Sequence, residues 1–219
     1  RWDASLYDLL AAYGQVKLRT EPVVHMVSRR PVVTLDAALQ HLERMIGVRL
    51  DQALGRRLEG EAIDIVINNA AVRGDVGGLS TLETDDFLEV MRINALAPLL
   101  IARALKPNLR AGKRRVLVNI SSRAGSLAEG ALDDDDGDYA YRCSKAALNM
   151  ATVKLAQDFR ADGISVISLH PGWVRTDMGG TEAQLAVGES VTGLKALISA
   201  ATMTDTGSFR AYDGRTISW

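Results

Sequence analysis

A tyrosine and a lysine stand four residues apart in the segment YRCSK, as Tyr141 and Lys145. In a helix this spacing places both side chains on one face, one turn apart. An ammonium group beside a phenol favours the phenolate, so we expect Lys145 to lower the pKa of Tyr141 from its reference value of about 10. The phenol would then act as a general acid near neutral pH. The pair alone is weak support, because chance produces it in roughly one of seven chains of this composition.

Small and polar residues follow three apolar segments that have the character of buried strands. The segments are 63–67 (IDIVI), 116–120 (VLVNI) and 164–169 (ISVISL), and they are followed by Asn68-Asn69-Ala70-Ala71, Ser121-Ser122 and His170-Pro171-Gly172. Ligands of open parallel sheets bind at the carboxyl ends of the strands, so these residues are candidates for a binding site. Taken singly, each group is also typical of an ordinary turn.

Long helical patterns separate these strands. Apolar residues recur every three or four positions over 84–109 and 139–162, which is typical of amphipathic helices. Alternating strands and helices predict an α/β fold with a doubly wound, Rossmann-like parallel sheet and helices on both faces. Near the end of the chain, 209–212 is predicted as a strand, followed by a turn at Asp213-Gly214 and a return segment at 215–217.

The first sixty residues fit this pattern less well. We predict a short helix over 6–13, a strand over 23–27 and a helix over 35–45; residues 48–50 are either a further strand or part of one helix over 34–50. No linker or repeat divides the chain, so we expect one domain over residues 1–219, in which 1–60 form an atypical or truncated nucleotide-binding part.

Composition narrows the class of protein. The 219 residues carry a formal net charge of −1, which leaves no basic surplus for a nucleic acid. The longest apolar run, 95–102, contains Pro98 and is too short to cross a bilayer. One cysteine, Cys143, and no signal-peptide pattern at the start favour a reducing cytoplasm.

The motifs occur together in one order: Asn-Asn-Ala after a strand, Asn94 in the next helix, Ser-Ser-x-Ala-Gly after the next strand, Tyr-x-x-x-Lys opening a helix, and Pro-Gly-x-Val-x-Thr after a further strand. In this order the chain resembles the short-chain dehydrogenase/reductase family. INNAAV, NISSRAGS, YAYRCSKAALNM, LHPGWVRTDMGG and FRAYDGRTISW look most like its C-factor and sniffer-like carbonyl reductase branch. The resemblance covers about residues 61–219.

The resemblance implies a role for each matching residue. Tyr141 would donate the proton to a substrate carbonyl, Lys145 would lower its pKa and bind the nicotinamide ribose, and Ser122 would hydrogen-bond the carbonyl oxygen. Asn94 would hold a water that links Lys145 to solvent. The cofactor would also be contacted by Asn68 and Ala70 on its adenosine side and by Pro171, Gly172 and Thr176 near the nicotinamide. Donors aimed at the carbonyl oxygen would stabilise the charge that hydride transfer creates there.

Two positions depart from the family pattern. Ala71 stands where the family usually has glycine, which adds one methyl group near the cofactor. Ser122 and Tyr141 are nineteen residues apart, farther than in most of the family, because the acidic run 133–138 lies between them. The run lacks the ligand spacing of a calcium loop, so we expect a solvated loop and no metal site.

The glycine-rich turn that normally binds the pyrophosphate is missing from the sequence. Before residue 61 the glycines are Gly14, Gly47, Gly55 and Gly60, and none has the spacing Gly-x-x-x-Gly-x-Gly. We therefore expect the first strand and its loop to be truncated or replaced, and the chain to bind NADPH weakly, because backbone amides at a helix N-terminus normally hold the phosphates.

Other residues of the first sixty are candidates for the adenosine end of the cofactor. If 23–27 is the second strand, Arg29 and Arg30 fall where a guanidinium pairs with the 2′-phosphate of NADP, although two solvated arginines fit as well. Asp51 resembles the family's adenine-contacting aspartate but lies too near Asn68. Asp36 is the rival, and it lies too far away.

These features predict an NADP(H)-dependent oxidoreductase, with NAD also possible as cofactor, that reduces a ketone or aldehyde or runs the reverse reaction. The substrate would be a small molecule, and the resemblance implies a homodimer or homotetramer joined through the helix over 139–162. The alternatives are a catalytically silent family member that acts as a binding or signalling protein, favoured by the missing glycine turn, and an incomplete gene product.

Overall fold

The computed structural model describes residues 23–27, 30–35, 55–56, 58–130 and 137–219. Six strands and four α-helices form the fold in these ranges: β1 (Val23–Val27), β2 (Arg30–Leu35), β3 (Ile65–Asn68), α1 (Thr84–Met91), α2 (Ala97–Ala111), β4 (Val116–Ile120), α3 (Tyr139–Asp158), β5 (Ser165–His170), α4 (Val187–Ala200) and β6 (Phe209–Ala211). A π-helical segment, Arg92–Leu96, joins α1 to α2.

The strands form one sheet in the order β1-β2-β3-β4-β5-β6. β1 pairs antiparallel with β2, and every later neighbour is parallel. The three strands predicted in the middle of the chain are confirmed, and β3 and β5 each extend to the polar residue that ends them, Asn68 and His170. The α/β class with a Rossmann-like sheet is confirmed.

Helices cover both faces of the sheet because side chains alternate along each strand. On one face Val66, Leu117 and Val166 pack in a core with residues of α2 and α3, among them Leu105 and Leu155. On the other face the core consists of Ile65, Ile67, Val116, Val118, Ile167 and Leu169 with Leu194 and Ile198 of α4. β3, β4 and β5 are therefore buried on both sides, as their continuous apolar sequences indicate.

The start of the chain differs from its prediction. The strand at Val23–Val27 is confirmed, but it is an antiparallel edge strand and not a second parallel strand. β2 was not predicted. It includes Thr34 and Leu35, at which the proposed helices over 34–50 and 35–45 were expected to begin. Its β-branched sequence Val-Val-Thr favours extended chain. The other elements proposed over 6–13 and 36–50 lie outside the described residues.

β2 also bears on the expectation that the first strand is truncated or replaced. In the doubly wound order 3-2-1-4-5-6, the first strand lies beside the fourth as a parallel neighbour. β2 lies beside β3 in this way, with Val33 opposite Val66, and β3 to β6 continue outward. A strand therefore fills this place in the sheet.

The predicted helices are confirmed with changed boundaries. The helix expected over 84–109 is interrupted by the π-helical segment that holds Asn94, and α3 ends at Asp158 before a short 3-10 turn at Arg160–Asp162. The return segment after β6 is confirmed by two backbone bonds, from Ala211 N to Arg215 O (2.8 Å) and from Ile217 N to Phe209 O (2.9 Å). Among the described helices, none is long and apolar enough to cross a membrane.

Candidate active site

A cavity of about 700 Å³ opens where β3, β4 and β5 end. Its wall is formed by the segments that follow these strands and by the first turns of α3 and α4. The lining residues used below are Asn69, Ala71, Arg73, Ser122, Arg123, Asp138, Tyr141, Arg142, Lys145, His170, Pro171, Gly172 and Thr176. The carboxyl ends of the strands therefore form one site, as their sequences predict.

Tyr141 and Ser122 meet inside this cavity. Tyr141 lies on the first turn of α3, and its side chain is partly buried. Ser122, which follows β4, lines the same cavity, and its side chain lowers the pKa of the Tyr141 phenol. Ser122 also accepts a hydrogen bond from the backbone N of Ala124 at 3.2 Å, which orients its Oγ. Two hydroxyl side chains from different elements thus line one cavity.

Lys145 lies one turn further along α3 and is 2% exposed. Its Nζ is 5.6 Å from the centroid of the Tyr141 ring and donates a hydrogen bond to the carbonyl oxygen of Ile120 at 3.0 Å. Burial lowers the pKa of Lys145 to about 8. The ammonium group is therefore held at the cavity wall with its charge weakly solvated.

The pKa of Tyr141 moves opposite to the prediction from its spacing to Lys145. Burial raises the pKa of the phenol, and this effect exceeds the lowering by the Ser122 hydrogen bond and by the positive charge of Arg73. The expected net lowering is therefore wrong. The reason is that the free energy needed to transfer a phenolate out of water is larger than the stabilisation that these neighbours give it.

Asn94 connects the loop after β3 to α3 from behind the cavity. Its side chain is fully buried in the π-helical segment. Its Nδ2 donates to Val72 O (2.8 Å) and to Ser144 Oγ (3.0 Å), and its Oδ1 accepts from Val72 N (2.9 Å). Ser144 Oγ in turn donates to Tyr141 O at 2.7 Å. Asn94 thus fixes the turn of α3 that carries Tyr141, while its role toward a water stays a prediction.

Comparison with known proteins identifies the family of this site. Residues 50–186 match the sequence profile of the short chain dehydrogenases. This chain is a short chain dehydrogenase. It is 42% identical to the C-signal protein of Myxococcus xanthus over 157 residues, which cover 72% of this chain and 93% of that protein.

Two solved structures share the fold of this short chain dehydrogenase. An NADPH-bound carbonyl reductase from chicken fatty liver matches with a TM-score of 0.72 and 31% identity, over 86% of this chain and 87% of that chain. The carbonyl reductase Sniffer of D. melanogaster matches with a TM-score of 0.74 and 26% identity, over 97% of this chain and 94% of that chain. The branch indicated by the motifs is therefore confirmed.

The segment after β3 faces the cavity with different residues than predicted. Asn69 and Ala71 line the cavity of this dehydrogenase, whereas Asn68 and Ala70 are buried. Asn68 Nδ2 donates to Asn119 Oδ1 at 2.8 Å, so its side chain belongs to the interior. Successive residues of an extended segment face opposite sides, which explains the alternation. The cofactor contacts assigned to Asn68 and Ala70 stay predictions.

The segment after β5 brings Pro171, Gly172 and Thr176 to the cavity, as the motif predicts. Thr176 Oγ1 accepts a hydrogen bond from Gly179 N at 3.1 Å and donates to Val174 O at 3.4 Å. These bonds fold the segment back on itself beside the cavity. Their contacts with a nicotinamide stay predictions.

Two lining residues, Arg73 and Asp138, had not been assigned to the site, and His170 had been named only as a residue that follows a strand. Arg73 and Asp138 form an ion pair at the cavity, and nothing in their sequence spacing of 65 residues indicates it. His170 Nδ1 accepts a hydrogen bond from Arg123 N at 3.4 Å. Burial, with help from the positive charge of Arg123, lowers the pKa of His170 to about 4, so the ring is neutral near pH 7.

Buried amides hold the end of β4 in place and were also missed. Asn149 of α3 accepts hydrogen bonds at Oδ1 from Ser121 Oγ (2.6 Å) and Ser168 Oγ (3.3 Å), and its Nδ2 donates to Gly125 O (3.1 Å). This network joins β4, β5 and the turn after Ser122. An asparagine at a helical position in the sequence gives no sign of such a role.

The remaining candidates lie elsewhere in the chain. Arg29, Asp36 and Asp51 lie outside the described residues, and so does 131–136, which contains most of the acidic run. The side chain of Arg30 is not described. Among the residues that the structure does describe, no three His, Cys, Asp or Glu side chains are grouped as a metal site.

Proposed function

We propose that this short chain dehydrogenase reduces a ketone or aldehyde with NADPH, or oxidises the corresponding alcohol, with Tyr141 as the proton donor. The observation that carries the proposal is that Tyr141, Ser122 and the buried Lys145 line one cavity at the carboxyl ends of the strands. The chicken carbonyl reductase that shares the fold is NADPH-bound, which favours NADP over NAD.

The described residues fit a nicotinamide nucleotide. The Lys145 ammonium has three donors, one of which bonds Ile120 O, and the others suit ribose hydroxyl groups. Asn69 and Thr176 add polar groups to a wall that also contains apolar residues such as Val174, Val191 and Leu194, a mixture typical of cofactor sites. When bound, NADPH supplies a hydride, that is, two electrons and one hydrogen nucleus, to the carbonyl carbon.

The residues of the chain complete the reaction at the oxygen. Ser122 and Tyr141 both present hydroxyl groups to the carbonyl oxygen, and these donors stabilise the negative charge that develops there. Tyr141 then gives its proton to the alkoxide, which is a much stronger base than a phenolate. With its raised pKa, as with its ordinary one, the phenol holds its proton at neutral pH, so the proton is available when the alkoxide forms.

The test removes one hydroxyl group. Tyr141→Phe should lower carbonyl reduction by roughly 10²- to 10⁴-fold, the usual contribution of a general acid. Tyr139→Phe is the matched control, since Tyr139 lies on the same helical turn but is 40% exposed. NADPH oxidation with a panel of ketones and aldehydes measures the rate, and thermal melting verifies the fold. Undiminished turnover in Tyr141→Phe would refute the assignment.

A catalytically silent member that acts in signalling is the second candidate. It is favoured by the relative from Myxococcus xanthus, whose name is C-signal, and by the missing Gly-x-x-x-Gly-x-Gly spacing. The same assay separates the two. If the wild-type chain turns over no carbonyl compound while it remains folded, the silent role is supported and the reductase is not.

We also propose a homodimer or homotetramer in the cytoplasm, formed by one domain per chain. Ala146 and Ala147 on α3 are small and only partly buried, which allows a close helix contact, and Met150 on the same helix is 62% exposed. Cys143 is a free thiol, which suits a reducing compartment. A monomer mass by light scattering at micromolar concentration would contradict the oligomer.

A further inference from the structure

An ion pair joins the loop after β3 to the residue that precedes α3. Arg73 donates from Nε to Asp138 Oδ1 at 3.0 Å and from Nη2 to Asp138 Oδ2 at 2.6 Å. Two parallel bonds of this kind give both attraction and a fixed geometry. The Asp138 side chain is 8% exposed and that of Arg73 is 41% exposed, so the pair is partly protected from water.

Asp138 stands in an unusual place for this partnership. It is the N-cap of α3, with a φ of 59°, a conformation in which aspartate and asparagine are among the few tolerated residues. An N-cap aspartate normally accepts hydrogen bonds from the first turn of its helix. Asp138 makes no such side-chain bond, because its carboxylate is turned toward Arg73.

The ion pair adds to hydrogen bonds that already connect the loop after β3 to α3. Val72 is already joined to Tyr141 through Asn94 and Ser144. Next to the ion pair, Gly137 lies so close to Val76 that a Cβ on it would overlap the Val76 carbonyl oxygen. The loop after β3 therefore packs against Gly137 and Asp138, which immediately precede α3 and lie four and three residues before Tyr141.

The two charges act on the phenol in opposite directions. Arg73 lowers the pKa of Tyr141 and Asp138 raises it, although burial has the largest effect. The other charged or titratable groups at this cavity are Lys145 on α3, Arg142 beside Tyr141, Arg123 after β4 and His170 after β5. Of these, His170 is neutral near pH 7, as its low pKa of about 4 shows.

We propose that Arg73 and Asp138 are positioning residues for Tyr141. Their ion pair fixes the first turn of α3 under the loop after β3, and their opposed charges balance the electric field at the phenol. The inference rests on the proposed function only in taking Tyr141 as the proton donor. A purely structural clamp would stabilise the fold without acting on the phenol.

The sign of the charge effect separates these two roles. Asp138→Asn removes the negative charge and keeps a residue that tolerates the backbone conformation. It should move the ionisation of Tyr141 to lower pH. Arg73→Gln removes the positive charge and should move it to higher pH, and the double variant should lie between the two. A structural clamp predicts a similar loss of thermal stability in both single variants and no opposed shifts.

The primary readout does not depend on turnover. The Cζ resonance of carbon-13-labelled tyrosine reports phenol ionisation, and the Tyr141 signal is the one that disappears in Tyr141→Phe. Arg210→Gln is the matched control. Arg210 forms a comparable ion pair with Asp205 at 2.7 Å, and the arginine is 36% exposed, but neither residue lines the cavity. The control should leave the Tyr141 titration unchanged.

The second readout is the pH profile of carbonyl reduction. The rate should fall as Tyr141 loses its proton, so the basic limb should move to lower pH in Asp138→Asn and to higher pH in Arg73→Gln. Shifts of both variants in the same direction, or none in either, overturn the inference. Opposed shifts of the resonance in a chain that reduces no carbonyl compound support the inference and refute the proposed function instead.

Discussion

Gly172 follows β5 at the wall of the cavity in a conformation that excludes larger residues. Its φ is +85°, and a Cβ built on it would lie 2.6 Å from Leu185 Cδ2 and 3.0 Å from the nearest ring carbon of Tyr212. Alanine in this backbone region costs about 1 to 2 kcal/mol, and crowding of a packed site adds about 1 to 3 kcal/mol. We expect Gly172→Ala to destabilise the fold by about 3 kcal/mol.

Gly180 provides the matched control for this prediction. It lies in the same segment with a φ of +76°, but nothing lies within 4 Å of the Cβ position. Gly180→Ala should therefore cost only the backbone strain, about 1 kcal/mol. For a domain of this size these values correspond to losses of about 9 °C and 3 °C in Tm, measured by calorimetry.

A second substitution isolates the steric part. Leu185→Ala removes the side chain that a methyl group at Gly172 would meet first. In that background Gly172→Ala should be less destabilising than in the wild type, since the side-chain clash is relieved while the backbone strain remains. Equal costs for the two glycines, or no relief in the Leu185→Ala background, would refute the reasoning.

Two further predictions concern Lys145 and the cofactor. The pKa of Lys145 is about 8 in the folded state, against 10.5 in the unfolded chain. Between these values the unfolded state binds more protons, so the free energy of unfolding should rise with pH, by an amount on the order of 3 kcal/mol. Lys145→Met should remove this dependence, and denaturant unfolding of both proteins at pH 7 and 11 measures it. Titration with NADPH, followed by nucleotide fluorescence, should show weak binding, because the sequence lacks the glycine turn whose backbone amides hold the pyrophosphate. Saturable binding at micromolar NADPH would contradict this and would mean that other backbone amides replace the turn.

The framework of the site was predictable because the sequence marks both each central strand and the residue at which it ends. Buried parallel strands are continuous apolar runs, and the residue that ends each run must lie at the carboxyl edge of the sheet. This logic located Ser122 and the segment from Pro171 to Thr176 at the cavity. It did not show that Asn69 and Ala71 line the cavity while Asn68 and Ala70 are buried, because which residue faces a cavity depends on how the chain leaves the strand.

The parts that escaped prediction depend on distant pairs of side chains. Asn94 was assigned to the site by resemblance, but its bonds to Val72 and Ser144 were not predicted, and Asn149 was not assigned at all. These buried hydrogen bonds exist only once the loop after β3 and the end of β4 lie against α3. The partnership of Arg73 with Asp138 is of the same kind. No local periodicity encodes such contacts, because each partner would be equally compatible with solvent.

The pKa of Tyr141 also depends on contacts that the sequence does not show, and these reverse the shift expected from its spacing to Lys145. Spacing alone put Lys145 within reach of the phenol, and in water that proximity would favour the phenolate. Burial at the cavity wall removes water from both groups, so it raises the pKa of Tyr141 and lowers that of Lys145. Both shifts disfavour the charged forms, and a neutral phenol that keeps its proton is the form a donor to an alkoxide requires. Proton transfer is then driven by the basicity of the product oxygen and not by a phenol that is already acidic.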